Sequence, residues 1–425
     1  MALAKLYLEH KSTIHNLGWR ILQITSQQGM VLFLFILCAR FLSPIEFGFY
    51  NYTLAIVLFL VMFGDFGISS ATSKYVAEYN VTNKEKLRAI PFNAGITVFG
   101  FGLLTSIIVL IFGSLYLGNH FESVLYVLPL VFLTPLVSLY DGIYRGLRRF
   151  RSLTLISAVI ACLFVPLAYF LVKTQGLLGA LLAQDVFYFV LLAGLVIGYR
   201  DFAFKINWKV IKMILKYSVI VGIGSVGFFF FGKIDTIFLG SFGYIKDIGY
   251  IEILNRLFSI VGTLPLIIAS VIGPTIAGIH SRKEHKLLLI KLNKYIVLSL
   301  IIALIGSLAF LFFGKYVIQF AFPQYYDQTM INIIPLYSLL LFSYLCASIV
   351  PSGFAVYTGH AKISAYFLIG FGILHVILNY VFLSAFGFYG LIFSILLTRI
   401  PSDLLFIFFY KTILSREQTA ETAAY

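Results

Sequence analysis

Several ionisable residues lie inside stretches that are otherwise apolar: Asp65, Asp141, Asp185, Lys233, Asp235, Glu252, Arg256, Arg399 and Asp403. A charge at the centre of a bilayer costs at least about 2.5–3.5 kcal/mol, so such groups face a partner or a water-filled cavity. Glu252 and Arg256 are four apart and share a helix face. Lys233 and Asp235 fall at a similar depth on the preceding apolar segment, so the four are expected to cluster. Two readings stay open. In one, the cluster is structural and neutralises itself. In the other, Lys233 and Arg256 attract an anionic substrate, with Asp235 and Glu252 beside them and Arg399 as a further binding candidate. Arg399 and Asp403, again four apart, read as a self-neutralised pair, with Asp403 also a candidate cavity or coupling residue. Asp65 has no local partner. It either titrates as part of ion coupling or accepts hydrogen bonds at a helix break between Gly64 and Gly67.

Other chemistry is weaker. Arg145, Arg148, Arg149 and Arg151 form a basic loop that reads as a topology signal or as a recruiter of anionic head groups. Gly222-Ile223-Gly224-Ser225-Val226-Gly227 fits a dinucleotide fingerprint as a string, but it lies in an apolar helix where small-residue packing is the better reading. The histidines show no metal-ligand spacing, and no metal site is expected; His375 and Asn379 share a face that could line a polar cavity, with a satisfied packing pair the better reading. Cys38, Cys162 and Cys346 all sit in apolar runs and read as small buried hydrophobes.

The elements that position these groups follow from composition. Of 425 residues, 60% are hydrophobic and 11% charged, with mean hydropathy +0.98. A soluble chain carries about 25% charged residues, so this one lacks the polar surface to cover a fold in water. Windows of about 20 apolar residues give twelve spans: 21–42, 49–72, 91–117, 123–140, 153–172, 176–199, 214–239, 248–279, 292–313, 330–357, 363–383 and 388–410. The eighth holds Pro265 and Pro274 and is expected to bend or tilt. Loops after even-numbered spans are rich in Lys and Arg, whereas the opposite loops hold only Arg40, Lys173, Lys246 and Lys315. The positive-inside rule then puts both termini in the cytoplasm, consistent with an even span count. The net charge of +14 is explained by this bias, without nucleic acid. No extramembrane stretch is long enough for a catalytic domain, which argues against an enzyme.

The two halves resemble each other. The segment 41–50 parallels 238–250, 83–87 parallels 282–287, Pro129-Leu130 parallels Pro335-Leu336, and Gly176-Leu177-Leu178-Gly179 parallels Gly387-Phe388-Tyr389-Gly390. A repeat of six spans keeps the same orientation in both copies, which relates them by an axis along the membrane normal. The expected fold is an all-α integral membrane protein of about twelve helices in two six-helix lobes, residues 1–205 and 206–425, with a transporter's alternating access.

The stretch Ala39-Arg40-Phe41-Leu42-Ser43-Pro44-Ile45-Glu46-Phe47-Gly48-Phe49-Tyr50, followed by Phe63-Gly64-Asp65-Phe66-Gly67-Ile68 and Lys74-Tyr75-Val76-Ala77-Glu78-Tyr79, resembles the first-hairpin pattern of polysaccharide and oligosaccharide flippases. These are the Wzx-type, O-antigen flippases of the MATE-like MOP superfamily. Arg145-Gly146-Leu147-Arg148-Arg149-Phe150 is similar to the family pattern as well. The resemblance implies a substrate made of an oligosaccharide on a polyprenyl pyrophosphate, moved from the cytoplasmic to the outer leaflet of the cell membrane with no bond broken. It implies lipid and polysaccharide-assembly partners, no cofactor, and an H+ or Na+ gradient as the candidate driving force. The alternatives are a cation-coupled exporter of small organic molecules on the same fold and a membrane-embedded polymerase, which the short loops disfavour.

Overall fold

Hydrocarbon offers no hydrogen bonds, so each membrane-crossing segment must satisfy its own backbone, and helices do this. The computed structural model describes residues 2–199, 201 and 203–423, with side chains at 18–118, 120–199, 201, 203–219, 221–227, 229–269, 271–273 and 275–419. Its helices are α1 (Ala2–Phe41), α2 (Pro44–Asp65), α3 (Ile68–Thr82), α4 (Lys84–Leu117), α5 (Phe121–Tyr126), α6 (Leu130–Gly146) and α7 (Phe150–Gly198). They continue with α8 (Trp208–Gly232), α9 (Ile234–Ser241), α10 (Ile245–Ser281), α11 (His285–Ala321), α12 (Gln328–Ala347) and α13 (Ala361–Ala423). No strand occurs among the described residues. The chain divides into two compact units, Met1–Ser225 and Val226–Tyr425, so the division falls inside α8, whereas the sequence-based boundary at 205/206 lies in the loop before it.

Among the described residues, ten helical stretches are long and apolar enough to cross a membrane, and two of them are double. α7 turns back at Gly176 (φ 55°, ψ −129°) and α13 at Gly387 (φ 61°, ψ −149°). Phe164 and Phe187 show the reversal: their ring centroids are 5.4 Å apart, where a straight helix would separate them by about 35 Å. In α13, Phe367 meets Phe409 at 5.6 Å. Counting each double stretch as two gives twelve spans in a multi-pass membrane protein. Side chains such as Leu163, Phe312 and Phe320 are largely exposed on this all-helical surface, as a lipid-facing surface requires. Cys162 shares that exposure, which corrects its reading as a buried hydrophobe; Cys38 and Cys346 are buried.

The repeat extends to backbone detail. A Cβ on Gly179 would overlap the carbonyl of Leu171, and a Cβ on Gly390 would overlap the carbonyl of Phe382 at the corresponding place. The turns that end α6 and the α12 segment also match: Arg148 (φ 57°) and Gly359 (φ 80°) are both left-handed. After them, Arg149 N donates to Tyr144 O at 2.9 Å and His360 N to Ala355 O at 2.8 Å.

Local chemistry explains the motif that carried the resemblance. Ser43 caps α2: its Oγ accepts from Glu46 N at 3.3 Å while the Glu46 carboxylate accepts from Ser43 N at 2.9 Å, with Pro44 at the first helical position. The second span then breaks. Phe66 and Gly67 are left-handed, and a Cβ on Gly67 would lie 2.6 Å from Ser218 O. Gly222 of the fingerprint-like string likewise exists for packing, since a Cβ there would meet Phe66 at 2.7 Å.

Candidate functional site

The seventh span is discontinuous. α8 ends at Gly232, Lys233 takes a non-helical conformation (φ −137°, ψ −10°), and α9 starts at Ile234. Discontinuous helices at membrane depth are the usual frame of a transporter site, because they free backbone and side chains to face a cavity. Here the break carries Lys233. Its ammonium donates to both oxygens of Glu252, at 2.8 and 2.7 Å, and Thr236 Oγ1 donates to the same carboxylate at 2.6 Å.

A cavity of about 270 Å³ opens beside this pair, lined by Lys233, Glu252, Asn255, Arg256 and Arg399 with Phe231. A neighbouring cavity of about 400 Å³ shares Phe231, Phe258 and Arg399 and adds Leu266, Tyr344 and Asp403. Both lie in the C-terminal unit. Three cations therefore line one space, and two of them sit on helices α10 and α13 that also wall the more apolar cavity.

Asp235 is not on this lining. Lys233 stands at the break and Asp235 in the first turn of α9, and the two turn to different neighbours. The expected four-membered cluster is thus two arrangements. Asp235 is 1% exposed. It accepts from Asn379 Nδ2 at 2.7 Å and contacts His375 Nε2 at 2.7 Å. His375 Nδ1 in turn meets Thr398 Oγ1 at 2.8 Å, and Ser394 donates to Asn379 Oδ1. These bonds run between the two arms of the α13 hairpin, so the arms are fastened by polar groups as well as by the turn.

Arg399 lies with one NH2 group 3.9 Å from Asp235 Oδ2 and its guanidinium 5.6 Å from the Phe231 ring centroid. Asp403 accepts from Ser343 Oγ at 2.9 Å. The ion-pair partner of Arg399 is therefore Asp235 and not Asp403. Arg399 Nε and Asp235 Oδ2 are buried with no hydrogen-bond partner among the described residues, so this part of the site holds unspent polar capacity.

In the N-terminal unit, the Asp65 carboxylate accepts from Ser69 N at 2.9 Å and Ser69 Oγ at 2.8 Å, capping α3 at the break in the second span. Arg145 is held by Asp141 at 2.7 Å, and Asp141 also binds Arg20 at 2.9 Å. Arg148 and Arg149 are exposed. Of the basic loop, Arg145 is the one held in an ion pair, and Arg151 is exposed like Arg148 and Arg149. Asp185 Oδ1 is buried without a hydrogen-bond partner among the described residues.

Sequence reasoning named Lys233, Glu252, Arg256 and Arg399 but missed Phe231, Asn255 and Tyr344 in the lining. In a chain with 44 Phe and 27 Tyr, aromatic identity alone carries no signal. The pairing of His375 and Asn379 was visible; their anchoring of Asp235 was not.

The chain is 26% identical over 405 residues to an uncharacterised membrane protein of Methanocaldococcus jannaschii, covering 90% of this chain and 94% of that one. Its fold is similar to an inward-facing multidrug resistance MATE family transporter of the MOP superfamily, with TM-score 0.78, 14% identity, and coverage of 94% of this chain and 99% of that one. It is also similar to the lipid II flippase MurJ in an inward closed conformation, with TM-score 0.73, 15% identity, and coverage of 94% and 87%. At these identities the structural matches establish the MATE-like fold. The polysaccharide biosynthesis protein family matches residues 14–280, more than half of the sequence, and the chain belongs to that family.

Proposed function

We propose that the chain translocates a polyprenyl-pyrophosphate-linked oligosaccharide from the cytoplasmic to the outer leaflet of the cell membrane by alternating access. The observation that carries this is the cavity lined by Lys233, Arg256 and Arg399. Three cations converging at a helix break suit a diphosphate, which offers several anionic oxygens to Arg and Lys. Glu252, on the same lining, tunes this charge through its pair with Lys233, and Asp235 does so from behind Arg399. Arg148 and Arg149, with Arg145 beside them, recruit the head group at the cytoplasmic surface. Both termini face the cytoplasm in this reading, and the family supports a lipid-linked substrate with polysaccharide-assembly enzymes as neighbours in the pathway.

One observation favours a second reading. Asp403 lines the larger cavity with Leu266, Leu340 and Phe258, while Arg399 on the same lining turns to Asp235; an acid in a largely apolar pocket suits an organic cation exported against an H+ or Na+ gradient, with Asp65 as a further coupling candidate. Reconstituted vesicles separate the two. Inward movement of a fluorescent polyprenyl-diphosphate oligosaccharide that drops with Arg256→Ala, at unchanged protein abundance, supports the flippase. Gradient-driven uptake of an organic cation that survives Arg256→Ala and is lost with Asp403→Asn supports the exporter and overturns the first reading.

A further inference from the structure

The three remaining histidines of the C-terminal unit meet at one end of it with Glu417, and none of the four lines either cavity. His280 stands in the last turn of α10 and His285 opens α11, joined by a turn in which Lys283 is left-handed (φ 58°). Lys283 N donates to His280 O at 2.9 Å and His285 N to Lys283 O at 2.9 Å, which folds His285 back so that the two rings stand 5.9 Å apart at 84°. Glu417, near the end of α13, reaches the same place: its Oε2 is 3.5 Å from His285 Nδ1, and its Oε1 is 3.1 Å from His360 Nε2. His360 sits just before α13 and 6.3 Å from the His280 ring.

We propose that His280, His285, His360 and Glu417 bind one divalent transition-metal ion, with zinc the best match. Ligand atoms of His280, His285 and Glu417 all lie within 4.8 Å of one another. Zinc takes N and O ligands at about 2.0–2.2 Å in a tetrahedron, which sets them about 3.4 Å apart; the two Glu417 contacts already match that spacing, and small side-chain rotations close the rest. His280 Nδ1, His285 Nδ1 and Glu417 Oε2 are buried with no hydrogen-bond partner among the described residues. Three buried atoms without partners, on residues whose ligand atoms gather this closely, are what a metal resolves.

The surroundings support the same conclusion. Thr358 Oγ1 donates to Phe354 O at 3.1 Å and meets His360 Nδ1 at 3.0 Å and Tyr410 OH at 2.8 Å. With its one proton on Phe354 O, Thr358 accepts from His360 Nδ1–H, an assignment read from the hydrogen-bond network. His360 Nε2 then turns a lone pair toward the Glu417 carboxylate, an opposition that a shared cation removes. This is the outer support that orients metal-bound histidines. Imidazole and carboxylate together suit zinc and its neighbours rather than magnesium or calcium. The ligands come from three places in the sequence, the 280–285 turn, His360 and Glu417, which is why histidine spacing alone gave no metal signal. The ion would clip the C-terminal end of α13 to the α10–α11 turn.

The test uses the full chain in detergent, free of affinity tag and dialysed against EDTA. Zinc content after titration and desalting is read by mass spectrometry, and Co²⁺ serves as the optical probe of a tetrahedral site. One equivalent of zinc is expected, with intense Co²⁺ visible absorption and slower tryptic cleavage at Arg416. Loss of an outer-shell partner alone typically costs about 10–100-fold in metal affinity, so His285→Ala and Glu417→Gln should each cost at least that. His10→Ala/His15→Ala should change nothing. Glu417→Gln lies on the last turns of α13 and gives the answer even if His285→Ala fails to fold. Substoichiometric zinc in the wild type, or equal affinity in Glu417→Gln, overturns the proposal and leaves the cluster held by protons alone.

Discussion

Replacing Lys233 by Met should destabilise the protein far more than replacing its partner. Glu252 has a side chain 5% exposed, while that of Lys233 is 31% exposed. Without the ammonium, Glu252 is a buried charge with one remaining donor, Thr236 at 2.6 Å. Breaking a buried pair costs about 3–5 kcal/mol. The partial exposure of Lys233 puts the loss near the lower end, about 3 kcal/mol, and the retained Thr236 bond recovers about 1 kcal/mol of it. The net for Lys233→Met is therefore about 2 kcal/mol. Glu252→Met frees an ammonium that can reach water, for about 1 kcal/mol. The double variant should cost no more than Glu252→Met alone, a coupling of about 2 kcal/mol. Reversible denaturant unfolding in detergent, run on all four proteins, measures the cycle. Costs that add within about 0.5 kcal/mol would refute the pairing. Transport by the double variant then reads the other role: recovered stability without recovered transport places Lys233 on the substrate path, and recovery of both makes it a strut.

Gly179→Ala and Gly390→Ala should each cost about 1–3 kcal/mol and by similar amounts, because the same backbone carbonyl overlap arises in both; Gly95→Ala and Gly370→Ala, with nothing within 4 Å of a new Cβ, should cost nothing in the same unfolding assay. Arg148→Gly should gain about 1 kcal/mol, since Arg148 holds a left-handed conformation at φ 57° that penalises a side chain by that order. If Arg148 recruits the head group, transport of the lipid substrate falls in the same variant, so thermal stability and flux move in opposite directions.

Much of the architecture could be read before the structure. Apolar runs located the spans because hydrocarbon tolerates little else, and Gly176 and Gly387 stood out by their matched partners three residues on. Helix ends were read short: α4 begins at Lys84 and α11 at His285, well outside the apolar windows, because membrane helices continue into water where charged residues are welcome. The break at Gly64–Gly67 was visible from its glycines. The break at Lys233 was not, because one Gly232 in an apolar run is ordinary. Within the site, spacing along one helix was informative: Glu252 and Arg256 line one cavity. Contacts between helices were not, and those decided that Arg399 turns to Asp235 and that His375 and Asn379 hold it. Four-residue spacing tells which side chains share a face but is silent on what that face meets.

The glycine turns at 176 and 387 have a consequence for biogenesis. Each joins two spans with no residues to spare, so the later helix has no slack with which to wait outside while the earlier one settles. Such a pair must enter the bilayer together, as a finished wedge. A reporter sequence spliced at either turn would supply the missing slack, and would be expected to uncouple the two arrivals and strand the second helix.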